Sequence, residues 1–289
     1  METNKIYQMD CLEGLRQLED KSVDLVVTSP PYDDLRVYKG YSFDFENIAR
    51  ELFRVLKEGG VIVWVVNDGT KNGSESGTSF RQALFFMNIG LNLHDTMIYA
   101  KTNYVPLTHN RYEQQFEYMF IISKGKPKTF NPLKIKCVTA GTSRSYSYIC
   151  ATTKENSAIR SGREEKTIIN EFKIKPNIWF YECGKDNTSK DDYVFDHPAT
   201  FPEKLAKDHI FSWSKENDLV IDPFAGSGTT LKMAKQNNRR FIGFEISEDY
   251  VKICLKRLQQ NTLFDVMQPI KDKEVTQDGK DELRNFSQA

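Results

Sequence analysis

The sequence has no stretch approaching the roughly 20 apolar residues of a membrane span, and its first residues, METNKIYQMD, lack an apolar signal core. Both absences predict a soluble, unprocessed protein that touches no membrane. Cysteine is sparse: the five, at 11, 137, 150, 183 and 254, form no CxxC pair. An odd, unpatterned set points to a reducing compartment and against a zinc site. The four histidines, at 94, 109, 197 and 209, make no HExxH or HxH, so no metal is expected. There is no internal repeat. Hydrophobic residues at 39% and charged residues at 28% exclude collagen, coiled coil and wholesale disorder. Net charge is also absent, but its zero hides an asymmetry. Residues 121–175 hold 12 Lys/Arg against 4 Asp/Glu, while residues 1–60 hold 8 against 12. A neutral chain with a basic middle fits a polyanion touching one face, and a solubilising loop accounts for the same charge.

What is present is an alternation of strand and helix signals at both ends of the 289 residues. Val23–Thr28 (VDLVVT) and Val61–Val66 (VIVWVV) are apolar runs of the buried-strand type. Phe45–Leu56 spaces Ile48, Leu52, Val55 and Leu56 at helical period. Further strands are predicted at 1–9, 95–100, 117–123, 218–221 and 240–245, and helices at 11–18, 79–88, 202–214, 230–237 and 247–261. The rhythm breaks from Lys124 to about Asp196, in a stretch rich in Lys, Ser, Thr and Tyr. The expected fold is α/β: a mostly parallel, Rossmann-like sheet with helices on both faces, plus a smaller inserted recognition region. The expected organisation is 1–123, a region 124–196 for target recognition, 197–261, and a polar tail 262–289.

Two turns carry chemistry. Asp222-Pro223-Phe224-Ala225-Gly226-Ser227-Gly228-Thr229-Thr230 follows a strand and opens a helix. Its glycines let the backbone approach a ligand, and the helix-start amides favour an anionic group. It is neither GxxxxGK[ST] nor GxGxxG. Glu245, about 20 residues on at the tip of the next predicted strand, can take both hydroxyls of a ribose. A ribose plus a carboxylate suggests S-adenosylmethionine (SAM) over NAD; an ordinary turn beside a solvated Glu is the plainer alternative. The second turn, Ser29-Pro30-Pro31-Tyr32, also ends a strand. Two prolines fix the backbone and remove two donors, leaving carbonyls turned outward. A hydroxyl and a fixed carbonyl accepting both N–H groups of a base's exocyclic amine would localise its lone pair, with Tyr32 as a stacking face. Such a site requires the base out of the duplex. Read alone, the tetrapeptide is equally a rigid turn. In an open parallel sheet both turns sit at the carboxyl edge, where ligands bind.

Together, TSPPY, a variable segment and then FAGSGTT, in that order, resemble a SAM-dependent amino DNA methyltransferase of the permuted β class. MDCLEGL at 9–15, HPATFPEKL at 197–205 and FEIS at 244–247 also match. The resemblance implies that Asp10 and Cys11 lie at the SAM adenine, that Asp222 to Thr230 hold its methionine part, and that Glu245 holds its ribose. It implies that His197, Phe201 and Pro202 line the cofactor pocket and that Ser29, Pro30, Pro31 and Tyr32 form the catalytic motif. Tyr99–Lys101, Arg111 and Glu117 are similar to motifs that border the target base. A leading Ser and the DDLRVY that follows are most like cytosine-N4 enzymes; an adenine-N6 enzyme of the same class stays open. Cytosine C5 chemistry needs a nucleophilic Cys, usually after Pro, and no Pro-Cys occurs.

A protein-glutamine or RNA methyltransferase would carry these motifs in the opposite order, and a non-catalytic DNA-binding subunit of a restriction-modification assembly is a further alternative. Double-stranded DNA is the expected partner, with Lys124, Lys126, Lys128, Arg144, Arg160 and Arg163 as phosphate-binding candidates. A cognate restriction endonuclease is a candidate partner, and monomer and homodimer both stay open. The expected compartment is the cytoplasm, the chain being bacterial or phage-encoded.

Overall fold

The computed structural model describes residues 1–31, 43–103, 111–146, 149–150, 159–160, 165–184, 188–189, 191 and 202–260. Within them the main sheet has eight strands: β1 (Lys5–Gln8), β2 (Val23–Thr28), β3 (Leu56–Val66), β4 (Asn92–Lys101), β5 (Phe116–Ser123), β6 (Ile178–Tyr181), β7 (Leu219–Asp222) and β8 (Arg240–Glu245). The helices are α1 (Cys11–Arg16), α2 (Phe45–Val55), α3 (Thr78–Asn88), α4 (Glu203–Trp213), α5 (Thr229–Gln236) and α6 (Glu248–Leu258). Strand order is β1-β8-β7-β2-β3-β5-β4-β6. Every pairing is parallel except those of β5, which runs antiparallel to both β3 and β4.

The central strands are apolar on both faces because both faces are covered. In β3, Ile62, Trp64 and Val66 point into one core cluster and Val61, Val63 and Val65 into the other. The first cluster takes Leu15, Ile48, Leu52 and Phe86 from α1, α2 and α3. The second takes Leu205, Ile210, Leu231, Ala234 and Cys254 from α4, α5 and α6. Each strand's two-residue alternation therefore decides which helix layer a side chain meets. Trp64 Nε1 donates to Gln82 Oε1 at 2.8 Å, so the largest buried ring also fixes α3.

Predicted and observed elements agree within a few residues, with one exception of length and one of membership. Strand β3 starts at Leu56, not at Val61. Ile178–Tyr181, read from sequence as part of the region that breaks the pattern, is the edge strand of the main sheet, beside β4. The described residues of the rest of that stretch include three short antiparallel pairs: Lys134–Lys136 with Phe172–Ile174, Ser143–Tyr146 with Glu165–Ile168, and Ile149–Cys150 with Ile159–Arg160. The three pairs nest inside one another along the chain, as successive rungs of one interrupted arm. No helix among the described residues is long and apolar enough to cross a membrane.

Candidate active site

Strands β2 and β7 are parallel neighbours, so the residues that follow Thr28 and Asp222 leave the sheet at the same edge. The two ends are bonded to each other. Thr28 Oγ1 donates to Asp222 Oδ1 at 2.6 Å, and Thr230 Oγ1, in the first turn of α5, donates to the Val27 carbonyl at 3.0 Å. Asp222 Oδ1 also accepts from the Phe224 amide at 3.0 Å. This carboxyl is 1% exposed. Burial pushes its pKa up to about 6, against the pull of the Thr28 hydroxyl and the Phe224 amide. Ser29-Pro30-Pro31, with Pro30 buried and its neighbours half-buried, thus starts beside the glycine turn.

The glycine turn takes its shape from positions that only glycine occupies without strain. Gly226 has φ 50° and Gly228 φ 79°. A Cβ at 228 would also run into the Cys254 side chain of α6. Gly228 is the N-cap of α5, and no side chain caps that helix. On the other side of the turn, Glu245 Oε2 accepts from the Gly226 amide at 2.9 Å and Oε1 from the Ser247 amide at 2.8 Å. Burial raises the pKa of Glu245, and these amides oppose the rise. A carboxylate has about four lone-pair sites, so with the Gly226, Ser247 and Ile246 amides bonded it keeps acceptor capacity for a hydroxyl. A two-oxygen acceptor for a diol next to an uncapped helix start suits a ribose and a carboxylate, so the residues fit SAM.

Other strand ends bring polar groups to the same edge. Beyond β3, Asp68 accepts from Ser76 Oγ at 2.9 Å, from the Ser79 amide at 3.0 Å, and from Ser79 Oγ. Lys101, ending β4, pairs with Glu117, near the start of β5, at 2.7 Å. Gln114 Nε2 donates to Asn67 Oδ1 at 3.3 Å, and Arg111 meets Glu75 at 3.4 Å. Beneath them lies an aromatic cluster. Phe224 meets Phe43 at 5.6 Å and Trp64 at 6.4 Å, and Phe45 meets Phe43, Trp64, Phe85 and Phe86 at 5.3–6.1 Å.

Several sequence expectations are refined or corrected. Tyr32, His197, Phe201 and Arg163 lie outside the described residues, as do the side chains of Arg144 and Arg160. Asp10 follows β1, beside Glu245, and is the N-cap of α1: its Oδ1 accepts from the Leu12 and Glu13 amides at 2.8 and 3.2 Å. Cys11 is 4% exposed within the core, and Pro202 is the N-cap of α4. Lys124, expected at a phosphate, has its ammonium group turned inward. It is buried, its Nζ donates to the Phe53 and Leu56 carbonyls at 2.7 and 3.1 Å, and it sits over the Phe53 ring. Lys126 and Lys128 are exposed but flank Gly59 and Gly60, at the edge opposite to the two turns. The reason is the antiparallel direction of β5, which carries the chain away from the site.

Sequence reasoning missed a buried charge cluster behind the glycine turn. Lys232 and Arg257 each bridge Asp191 and Glu203, and Arg257 reaches Ser227 and Thr229. The available signal was helical spacing: Arg257 lies three residues after the buried Cys254, on the inward face of α6.

Residues 23–256 match a family model described as DNA methylase. The chain is 52% identical, over 240 residues, to the orphan methyltransferase M.BamHII of Bacillus amyloliquefaciens, an overlap of 83% of this chain and 90% of that one. In fold it is similar to a PvuII DNA methyltransferase (cytosine-N4-specific), with TM-score 0.64 and 22% identity, covering 90% of this chain and 88% of that one. It is also similar in fold to M1.HpyAVI in its SAM complex, with TM-score 0.55 and 24% identity, covering 88% and 98%. The family uses SAM. With its two motif turns bonded at one sheet edge and most of its length inside the family model, the chain belongs to the N6/N4 class of DNA methyltransferases.

Proposed function

We propose that this enzyme methylates the exocyclic N4 of cytosine in duplex DNA, at one recognition sequence. The observation that carries the reading is the Thr28–Asp222 hydrogen bond, which ties the SPPY turn to the glycine turn across adjacent strands. SAM bound along Asp222–Thr230 and Glu245 supplies an electrophilic methyl group on a sulfonium. The base, turned out of the duplex, lies against Tyr32. Ser29 Oγ and the Pro30 carbonyl accept the two amine N–H groups and draw the nitrogen lone pair out of conjugation with the ring. The nitrogen–carbon bond forms as the carbon–sulfur bond breaks, and the amine proton leaves to solvent, directly or relayed through the Ser29 hydroxyl as that hydroxyl releases its own proton. The protein's contribution is orientation and fixed polar groups in a site that excludes water. Asp10, Cys11, His197, Phe201 and Pro202 complete the cofactor pocket. The base assignment rests on the leading Ser of the motif.

The nested arm between 134 and 174 is the target-recognition element. It carries Lys134, Lys136, Arg144 and Arg160, and Arg163 follows Arg160 by three residues in the sequence. The M.BamHII likeness favours an enzyme acting without an endonuclease partner, in the cytoplasm where the DNA lies.

The test is to express the gene in a methylation-free bacterium and read its genome by single-molecule sequencing. N4-methylcytosine at one motif is the expected result. N6-methyladenine would overturn the base assignment and keep the cofactor and site. An unmodified genome, together with a purified protein that binds no SAM, would overturn the catalytic reading.

A further inference from the structure

Against the glycine turn, two cations and two carboxylates share one buried site. Glu203 Oε1, from the first turn of α4, accepts from Ser189 Oγ at 2.8 Å, Lys232 Nζ at 2.9 Å and Arg257 Nη2 at 2.6 Å. Asp191 Oδ2 accepts from Lys232 Nζ at 2.8 Å and Arg257 Nε at 3.1 Å. Burial works against the Glu203 charge, but Lys232, Ser189 and Arg257 outweigh it and hold the carboxyl below the usual range. Arg257 is 1% exposed. Its remaining nitrogen, Nη1, faces the Ser227 carbonyl at 2.8 Å, Ser227 Oγ at 3.2 Å and Thr229 Oγ1 at 3.0 Å.

Burying a guanidinium is costly unless it is paired and hydrogen-bonded, and a matched ion pair alone gives little net stability. This one spends a third of its fork on the turn between Gly226 and α5. It binds the Ser227 carbonyl from α6, so that oxygen's partial negative charge is met by the guanidinium. It also fixes the two hydroxyls that flank Gly228. A lysine could satisfy the carboxylates but, with one nitrogen, could not span both them and the turn.

We propose that Arg257 is a positioning residue for the methyl donor: anchored by Asp191 and Glu203, it holds the Ser227–Thr229 segment in the shape that accepts the SAM carboxylate. This rests on reading the turn as the SAM site. Asp191 and Ser189 lie where the chain returns from the recognition arm, so the same cluster fastens that return to the cofactor turn.

The test compares wild type, Arg257→Lys and Arg257→Gln as full-length proteins. SAM affinity is read by calorimetry, affinity for a plasmid-derived duplex by filter binding, and folding by thermal melting. Arg257→Lys keeps the charge cluster and is expected to melt near wild type while SAM binding weakens by about tenfold or more. The KM for SAM should rise by the same factor with kcat at saturating SAM changed by less than about twofold. Duplex affinity should stay put. Arg257→Gln should lose more SAM affinity; should it not fold, the Lys variant decides. A folded Arg257→Lys protein that binds SAM as tightly as wild type overturns the proposal. So does a parallel loss of SAM binding, duplex binding and melting temperature, the mark of a purely structural residue. Wild-type protein that binds no SAM would instead overturn the reading of the turn.

Discussion

From Leu219 to Ala234 every residue except Phe224 is buried, whereas no residue of 134–143 or 168–178 is. The first stretch is crossed by hydrogen bonds from β2, β8 and α6. The second is held by pairs of two to four residues. Isolated two-stranded pairs are marginal in water, so the arm depends on its rungs and its anchor on the main sheet. The contrast follows from the tasks. On the proposed roles, a turn that holds one small molecule gains from surroundings that allow a single geometry. An arm proposed to face a grooved polyanion needs exposed charge and hydroxyls more than a core. The contrast also says where mutations should hurt.

The largest effect is expected at the junction of the two motif turns. Asp222→Ala leaves the Thr28 hydroxyl and the Phe224 amide without their acceptor in a buried site. We expect a loss of about 2–5 kcal/mol in denaturant unfolding and a drop in SAM affinity of about a hundredfold or more. Wild-type stability in this variant would break the comparison outright.

Gly228→Ala should follow. Its φ of 79° costs a side chain about 1–3 kcal/mol, and the added methyl meets Cys254. Combining it with Cys254→Ala should recover the part of the loss due to Sγ and leave the backbone part and a tight contact with the residual Cβ. A double-mutant cycle by chemical denaturation separates the two. By contrast, Gly141→Ala in the arm has a left-handed φ of 77° but open space around it, so only the backbone part should appear.

The arm is sharpened by salt dependence. Arg144→Ala with Arg163→Ala should lower the slope of log affinity against log salt by about 0.9 per lost phosphate contact, with SAM binding intact. Lys126→Ala with Lys128→Ala, at the opposite edge, should leave the slope unchanged. Equal slopes for both pairs would place the DNA elsewhere.

The smallest effect is a pH signature. His209 is fully buried, stacked 4.7 Å from Trp179 with Nε2 facing Met119 Sδ at 3.2 Å. Burial holds its pKa down to about 3, with Lys175 adding to the shift, against 6.5 ordinarily. The unfolded chain therefore takes up a proton below pH 6.5 that the folded chain refuses. Stability should fall as pH drops from 6.5 toward 3, by up to about 1.4 kcal/mol per unit. Asp222 works the other way: its raised pKa gives stability that is present below 3.8 and lost as pH rises through about 6. The difference between wild type and His209→Gln isolates the histidine, and a pH-independent difference would refute its buried neutral state.

Legibility differed between the same two regions. The strands and helices around both turns were readable because period-two and period-3.6 patterns report burial directly, and β2 or α2 needs no partner's identity to be recognised. The glycine turn and SPPY were readable because backbone chemistry confines Gly and Pro to a few conformations. The arm was not, since exposed pairs of two to four residues leave no period to detect. Strand direction was not readable either, and an antiparallel β5 was enough to carry Lys126 and Lys128 to the edge opposite the two turns. Lys124 was misjudged because a lysine's long apolar stem permits burial wherever carbonyls meet its ammonium group.

By itself, then, the sequence determined an α/β chain, two turns at strand ends and a basic middle, since these follow from local propensity and composition. Tertiary structure alone decided that Thr28 meets Asp222 across 194 residues, that Glu245 clamps Gly226, and that Arg257 stands behind Ser227. Such contacts depend on strand order and helix placement, which are set by how whole layers pack, and no single stretch of residues encodes them.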